Sequence, residues 1–189
     1  MNLPNKLTIL RILMIPVFVA VFYISAIPYH FTISAGIFAL AAFTDFLDGY
    51  IARKYNLVTD LGKFLDPIAD KVLVSSALII MLVPVGGVLL LPNYAGIAVA
   101  IILARELVVS GFRMVASSKG MVIAADLSGK IKTFVTDIAI VVILVGGDFA
   151  LGGYMGIVGL VLLGVATLLT IISGVECIVK NRAVLKDKQ

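Results

Sequence analysis

Charge is scarce in this chain of 189 residues: Asp, Glu, Lys and Arg make up only 14% of it, against about 25% in an average soluble domain. Hydrophobic residues reach 61% and the mean hydropathy is +1.16. A soluble fold of this length still leaves about 30% of its surface to be covered by polar groups. Too few are present, which excludes a water-soluble globular domain. The same shortage excludes a disordered chain, since such chains are polar. One cysteine, Cys177, cannot close an intrachain disulfide. A single histidine, His30, read as a residue of an external loop, argues with it against a thiolate- or imidazole-rich zinc centre. The net charge of +4 fits basic residues facing the cytoplasm and anionic lipid head groups rather than nucleic acid.

What remains is apolar sequence in long runs. About 20 apolar residues span the hydrocarbon core as a helix, and six stretches qualify: Leu7–Ile27, Phe31–Arg53, Leu61–Val83, Tyr94–Ala116, Gly129–Gly147 and Tyr154–Val179. The breaks fall at Ile27-Pro28, the segment from Pro84 to Pro92, and the Gly146-Gly147 and Gly152-Gly153 pairs, all turn chemistry. Lys6 and Arg11 at the start, Arg53 to Lys71 around the second connection, Arg105 to Lys132 around the fourth, and Lys180 to Lys188 in the tail account for all 15 basic residues. The positive-inside rule then places both termini and these two connections in the cytoplasm. The expected fold is all-α: one polytopic domain over residues 1–189 with six transmembrane helices. Tyr and Phe residues along spans 1, 2 and 5 read as lipid-facing anchors, and Asp148 as a loop residue.

Ionisable residues inside a membrane are costly and usually functional. Asp45 and Asp48 fall in the last turns of span 2, Asp66 and Asp70 in the first turns of span 3. At about 100° per residue, Asp45, Asp48, Gly49 and Ala52 share one face, and Gly62, Asp66 and Asp70 share another. Two carboxylates from each helix can converge at the cytoplasmic end of an antiparallel pair. Four buried negative charges must protonate, pair with cations or hold metal, and all-oxygen sites suit hard divalent ions such as Mg²⁺, Mn²⁺ or Ca²⁺. Two such ions would balance four carboxylates and leave capacity for phosphate oxygens. Capping and pairing with Arg53, Lys54, Lys63 and Lys71 would explain one or two of these aspartates, but not four at helical spacing on apolar segments.

The stretch Asp45-Phe-Leu-Asp48-Gly49-Tyr-Ile-Ala52-Arg53, eight residues, then Gly62-Lys-Phe-Leu-Asp66-Pro-Ile-Ala-Asp70 resembles, position for position, the signature of the CDP-alcohol phosphatidyltransferase family. The resemblance implies a six-helix membrane enzyme of the cell membrane, usually a homodimer, whose two-metal site opens to the cytoplasm. It further implies transfer of a phosphatidyl group from CDP-diacylglycerol to an alcohol with release of CMP. Asp45, Asp48 and Asp66 would be metal ligands, and Asp70 would take the acceptor hydroxyl proton while also touching a metal. Gly49, Ala52, Arg53 and Gly62 would line the nucleotide site, joined by Asn5 and Thr8 at the N-terminal end.

The opening Asn2-Leu-Pro4-Asn5-Lys-Leu-Thr8-Ile-Leu-Arg11, together with Arg105-Glu106, Ser110-Gly-Phe-Arg113 and Gly129-Lys130-Ile-Lys132-Thr133, resembles the branch of that family whose acceptor is sn-glycerol 3-phosphate. A phosphorylated acceptor needs cations, and Arg105, Arg113, Lys130 and Arg11 are the candidates, Arg105 and Arg113 being about 80° apart around a helix so that both can face inward. Glu106 is expected to pair with a neighbouring arginine, while Lys119 and Lys132 read as snorkelling to lipid head groups. Two other readings are compatible with the composition: the same family acting on inositol phosphate, serine or a second phospholipid, and a membrane transporter. A transporter should show inverted repeats or helices broken at the midplane, whereas here the charges crowd one membrane side and no repeat is visible.

Overall fold

Each apolar run forms one α-helix. The computed structural model describes residues 3–55, 60–121, 123, 127–149 and 152–185, and over them the order is α1 (Leu3–Tyr23), α2 (His30–Lys54), α3 (Asp60–Ile80), α4 (Ala95–Ser118), α5 (Leu127–Asp148), α6 (Gly152–Lys180) and a short 3₁₀ turn, Arg182–Leu185. The described residues contain no strand, only a bridge between Val85 and Val88 in the turn after α3. Four of the six, α1, α2, α4 and α6, are long and apolar enough to cross a membrane. The other two are interrupted by charges: Lys63, Asp66, Asp70 and Lys71 in α3, and Lys130, Lys132 and Asp137 in α5.

The turns follow local chemistry. At the end of α4, Gly120 takes φ +73°, which its missing side chain permits. Its N–H and that of Met121 donate to the Ser117 and Ala116 carbonyls at 3.0 and 2.9 Å, the paired closure that stops a helix on a left-handed residue. Two loop assignments give way to tertiary contacts. His30 is the first residue of α2, buried, with Nδ1 at 2.9 Å from the Phe22 carbonyl. Asp148 is the last residue of α5, and its carboxylate accepts the Thr32 N–H at 2.5 Å, satisfying an orphan donor in the first turn of α2 as a cap supplied from another helix.

The aromatic expectation is also corrected in part. Phe18, Phe22, Phe31 and Phe38 are fully buried, with Phe18–Phe38 and Phe22–Phe31 centroids 6.0 and 5.2 Å apart. Their rings fill the α1–α2 seam, whereas Tyr23, Phe43 and Phe134 face outward. The α1–α2 and α5–α6 pairs are the most extensive contacts, α5 also packs on α2, and α4 on α6. Helix α3 leans on α1 and touches α2, α4 and α5 only sparsely.

Small residues set the closest approach in membranes. A Cβ at Gly159 would clash with Ile143 Cγ1 and stand 3.5 Å from its Cα, so α6 meets α5 there through the missing side chain. Gly159→Ala is expected to lower Tm in detergent by the equivalent of about 1–3 kcal/mol, the usual cost of overpacking. At Gly164 an added Cβ meets nothing within 4 Å, and Gly164→Ala should leave Tm unchanged in the same assay.

Candidate active site

The four signature aspartates gather at one end of the bundle, with α1 standing in the seam between their helices. Thr8 and Arg11, three residues apart, project from one face of α1. The Arg11 guanidinium is fully buried and forms ion pairs with Asp45 at 2.6 Å and Asp48 at 2.5 Å, while its Nε donates to the Ala41 carbonyl at 3.3 Å. Thr8 donates its hydroxyl to Asp66 Oδ1 at 2.6 Å. Helix α1 therefore serves the α2 carboxylates with a cation and an α3 carboxylate with a hydroxyl. Asp48 is buried and Asp45 half-exposed, their side chains 3% and 40% accessible. The aspartates also feel one another: Asp45 is repelled by Asp66 and Asp70, and Asp48 by Asp45 and Asp66.

A second polar group lies behind Asp70. Lys132 on α5 is buried and donates to Glu106 of α4. Together with Asp70, Thr133, Thr136 and Asp137 they line a cavity of about 20 Å³ between α3, α4 and α5, room for about one water. Asp137 Oδ1 is buried in this wall without a hydrogen-bond partner. Arg105 turns the other way, toward α6, where its Nη2 donates to Ser173 Oγ at 2.9 Å; its Nη1 reaches Glu106 at 3.5 Å, the expected arginine–glutamate pair.

Several expectations from sequence change in this frame. Arg11, expected to serve an acceptor phosphate, is committed to Asp45 and Asp48, because two carboxylates one turn apart on α2 face it across the seam. Lys132, assigned to the lipid surface, is a buried member of the site. The signal lay in the α5 stripe Lys132, Thr136, Ala139, Ile140, Ile143, a helical repeat whose other members all face inward. Arg105 and Arg113 do not both face inward. Arg113 is exposed and borders an outer groove between α3 and α4 with Lys71 and Ser110, since eight residues of rotation carry it past the edge of the packed face. Lys130 is exposed. Lys119 donates to the Val184 carbonyl at 2.9 Å, tying the α4 end to the C-terminal turn. Asn5 and Gly62 are buried and Gly49 half-buried near the aspartates, while the side chains of Ala52 and Arg53 lie outside the described residues.

Among the described residues no three acidic, histidine or cysteine side chains are arranged to hold an ion between them. The aspartates share one electrostatic field rather than one ligation point, because Arg11 and Thr8 draw them toward α1. The donor set nevertheless fits a hard divalent cation. It is all carboxylate, and two of its members already close around a positive charge, that of Arg11.

The family model described as CDP-alcohol phosphatidyltransferase matches residues 1–172. A Rickettsia bellii protein named CDP-diacylglycerol–glycerol-3-phosphate 3-phosphatidyltransferase is 44% identical over 173 residues, 92% of this chain and 91% of that one. A Bacillus subtilis protein of the same name is 40% identical over 197 aligned positions, covering 98% and 97%. A Mycobacterium tuberculosis protein named probable phosphatidylglycerophosphate synthase is 39% identical, covering 95% of this chain and 81% of its own.

Proposed function

Since the chain belongs to the CDP-alcohol phosphatidyltransferase family, we propose that it transfers the phosphatidyl group of CDP-diacylglycerol to sn-glycerol 3-phosphate, forming phosphatidylglycerophosphate and CMP. The observation that carries the reading is the pairing of two unlike polar groups at one end of the bundle. A carboxylate set for the donor pyrophosphate stands next to a group in which two cations, Arg105 and Lys132, share Glu106, positive charge that suits a phosphorylated acceptor. The acceptor named for the relatives agrees with that charge.

In this reading Asp45, Asp48 and Asp66, with Asp70, hold two divalent ions, Mg²⁺ or Mn²⁺. Bound there, the ions would offset the charge of the pyrophosphate and of the departing CMP. The protein does the rest. Asp70 accepts the proton of the glycerol hydroxyl as that oxygen bonds to the phosphatidyl phosphorus; the bond from phosphorus to the bridging oxygen breaks, and CMP leaves with its electron pair. Lys132 and Arg105 hold the acceptor phosphate, and Glu106 keeps Lys132 in place. Arginine and lysine suit this task as charge-assisted donors. Asn5, Thr8, Gly49, Ala52, Arg53 and Gly62 border the nucleotide. All six helices span the cell membrane, with both termini and this end of the bundle on the cytoplasmic side, and the enzyme works as a homodimer.

Purified protein given CDP-diacylglycerol and Mg²⁺ or Mn²⁺ should release CMP with glycerol 3-phosphate, and not with glycerol, serine or inositol phosphate. Chelation should stop the reaction. Faster turnover with another alcohol would keep the family and overturn the acceptor; solute transport without CMP release would overturn both.

A further inference from the structure

Arg105 is held in an unusual way. Its Nη2 donates to Ser173 Oγ at 2.9 Å, and that hydroxyl donates onward to the Thr170 carbonyl at 3.2 Å. At the next position, a Cβ on Gly174 would stand 3.0 Å from Arg105 Cγ, 3.2 Å from Nε and 3.7 Å from Cδ. All three nearest atoms belong to the arginine side chain and none to the α4 backbone. This glycine therefore clears space for the arginine stem, unlike Gly159, whose absent side chain lets two helices meet.

The Arg105 side chain so held is only 15% exposed, and its Nε is buried without a hydrogen-bond partner. Its Nη1 reaches Glu106 at 3.5 Å, a long contact with a carboxylate that also serves Lys132. Arg105 and Lys132 repel each other, so two cations share one anion. Leaving a buried donor unmatched is costly, so this guanidinium has hydrogen-bonding capacity to spare for an anion.

We propose that Ser173 and Gly174 of α6 are positioning residues for Arg105, so that α6 helps to build the acceptor-phosphate site without touching the acceptor. Ser173 fixes one side of the guanidinium; Gly174 sets how far its stem can swing. The inference rests on the reading of Arg105 as a phosphate-binding residue.

Steady-state kinetics of the full chain in lipid nanodiscs, with CDP-diacylglycerol and glycerol 3-phosphate, test it. Ser173→Ala and Gly174→Ala should each raise the KM for glycerol 3-phosphate about tenfold, the worth of a hydrogen bond to a charged group, with kcat and the KM for CDP-diacylglycerol unchanged. Ser173→Thr, which keeps the hydroxyl, should restore the acceptor KM. In an Arg105→Ala background neither substitution should have a further effect, since residues acting through one side chain are not additive. Effects that add in full to Arg105→Ala, or that move both KM values and Tm together, would overturn the proposal. So would a Ser173→Ala variant with a normal acceptor KM, even if Gly174→Ala fails to fold. An unchanged acceptor KM in Arg105→Ala alone would instead overturn the reading of Arg105, and the positioning role with it.

Discussion

Asp66→Asn is expected to abolish CMP release, and Asp45→Asn and Asp48→Asn to do the same, whereas Asp70→Asn should keep the donor lipid bound and lose only turnover. Asparagine preserves the shape of each side chain and removes its charge. At the three ligand positions that leaves a divalent ion short of the negative charge that holds it, so donor binding that depends on the ion is lost as well. The fold should survive at Asp45 and Asp66: Asp45 is half-exposed, and the amide oxygen introduced by Asp66→Asn can still accept the Thr8 hydroxyl now given to Asp66. Asp48→Asn, which removes one partner of a buried ion pair with Arg11, should also lower Tm. Asp70 lies one turn further along α3, beside Lys132, and the proton it accepts has no other destination in this reading. A positioned proton acceptor is worth about 10²–10⁴ in rate. Binding of radiolabelled CDP-diacylglycerol, measured beside CMP release, separates the two classes. Near-normal turnover in Asp70→Asn removes it from the mechanism, and full activity of all three ligand variants in chelator ends the two-ion proposal.

The second large effect is on stability. Arg11→Met should unfold at a much lower temperature than the parent, because it leaves the buried Asp48 and its neighbour Asp45 without their cation. Removing one partner of a buried ion pair costs about 3–5 kcal/mol, and here a single guanidinium answers two carboxylates. Arg11→Lys should recover only part of the loss, since an ammonium cannot reach both acceptors in the fixed fork that arginine presents. If the aspartates hold divalent ions, Mg²⁺ or Mn²⁺ should raise the Tm of Arg11→Met further than that of the parent, as mass action stabilises whichever state binds. Thermal melts in detergent with and without metal read both effects. A Tm unchanged by Arg11→Met would show that the carboxylates are satisfied without it, and an equal metal response in the two proteins would argue against ions at this position.

Both predictions turn on α1, the helix whose place was least legible beforehand. The acidic signature stands in α2 and α3 alone, and its two helical faces were correctly expected to carry the carboxylates. Direct convergence of those faces was the natural inference from an antiparallel pair. In the structure α2 and α3 touch only sparsely and α1 lies against both, so Arg11 and Thr8 reach the aspartates first. Lys132 shows the same limit from another direction. An isolated lysine near a helix end is read as snorkelling, and only the approach of α4, bringing Glu106, makes burial favourable.

Composition and periodicity by themselves determined the solvent, the helix count and the one end of the molecule where charge collects. Hydrophobic run length and the spacing of four aspartates are one-dimensional properties that a bilayer and a helix of fixed pitch convert directly into geometry. Which cation meets which carboxylate, that α6 holds Arg105, and that Arg113 faces outward were decided only by tertiary structure. Those outcomes depend on how far each helix is rotated and which neighbour it meets, and a rotation of one or two residues moves a charge from a buried pair to the lipid surface at no cost visible in the sequence.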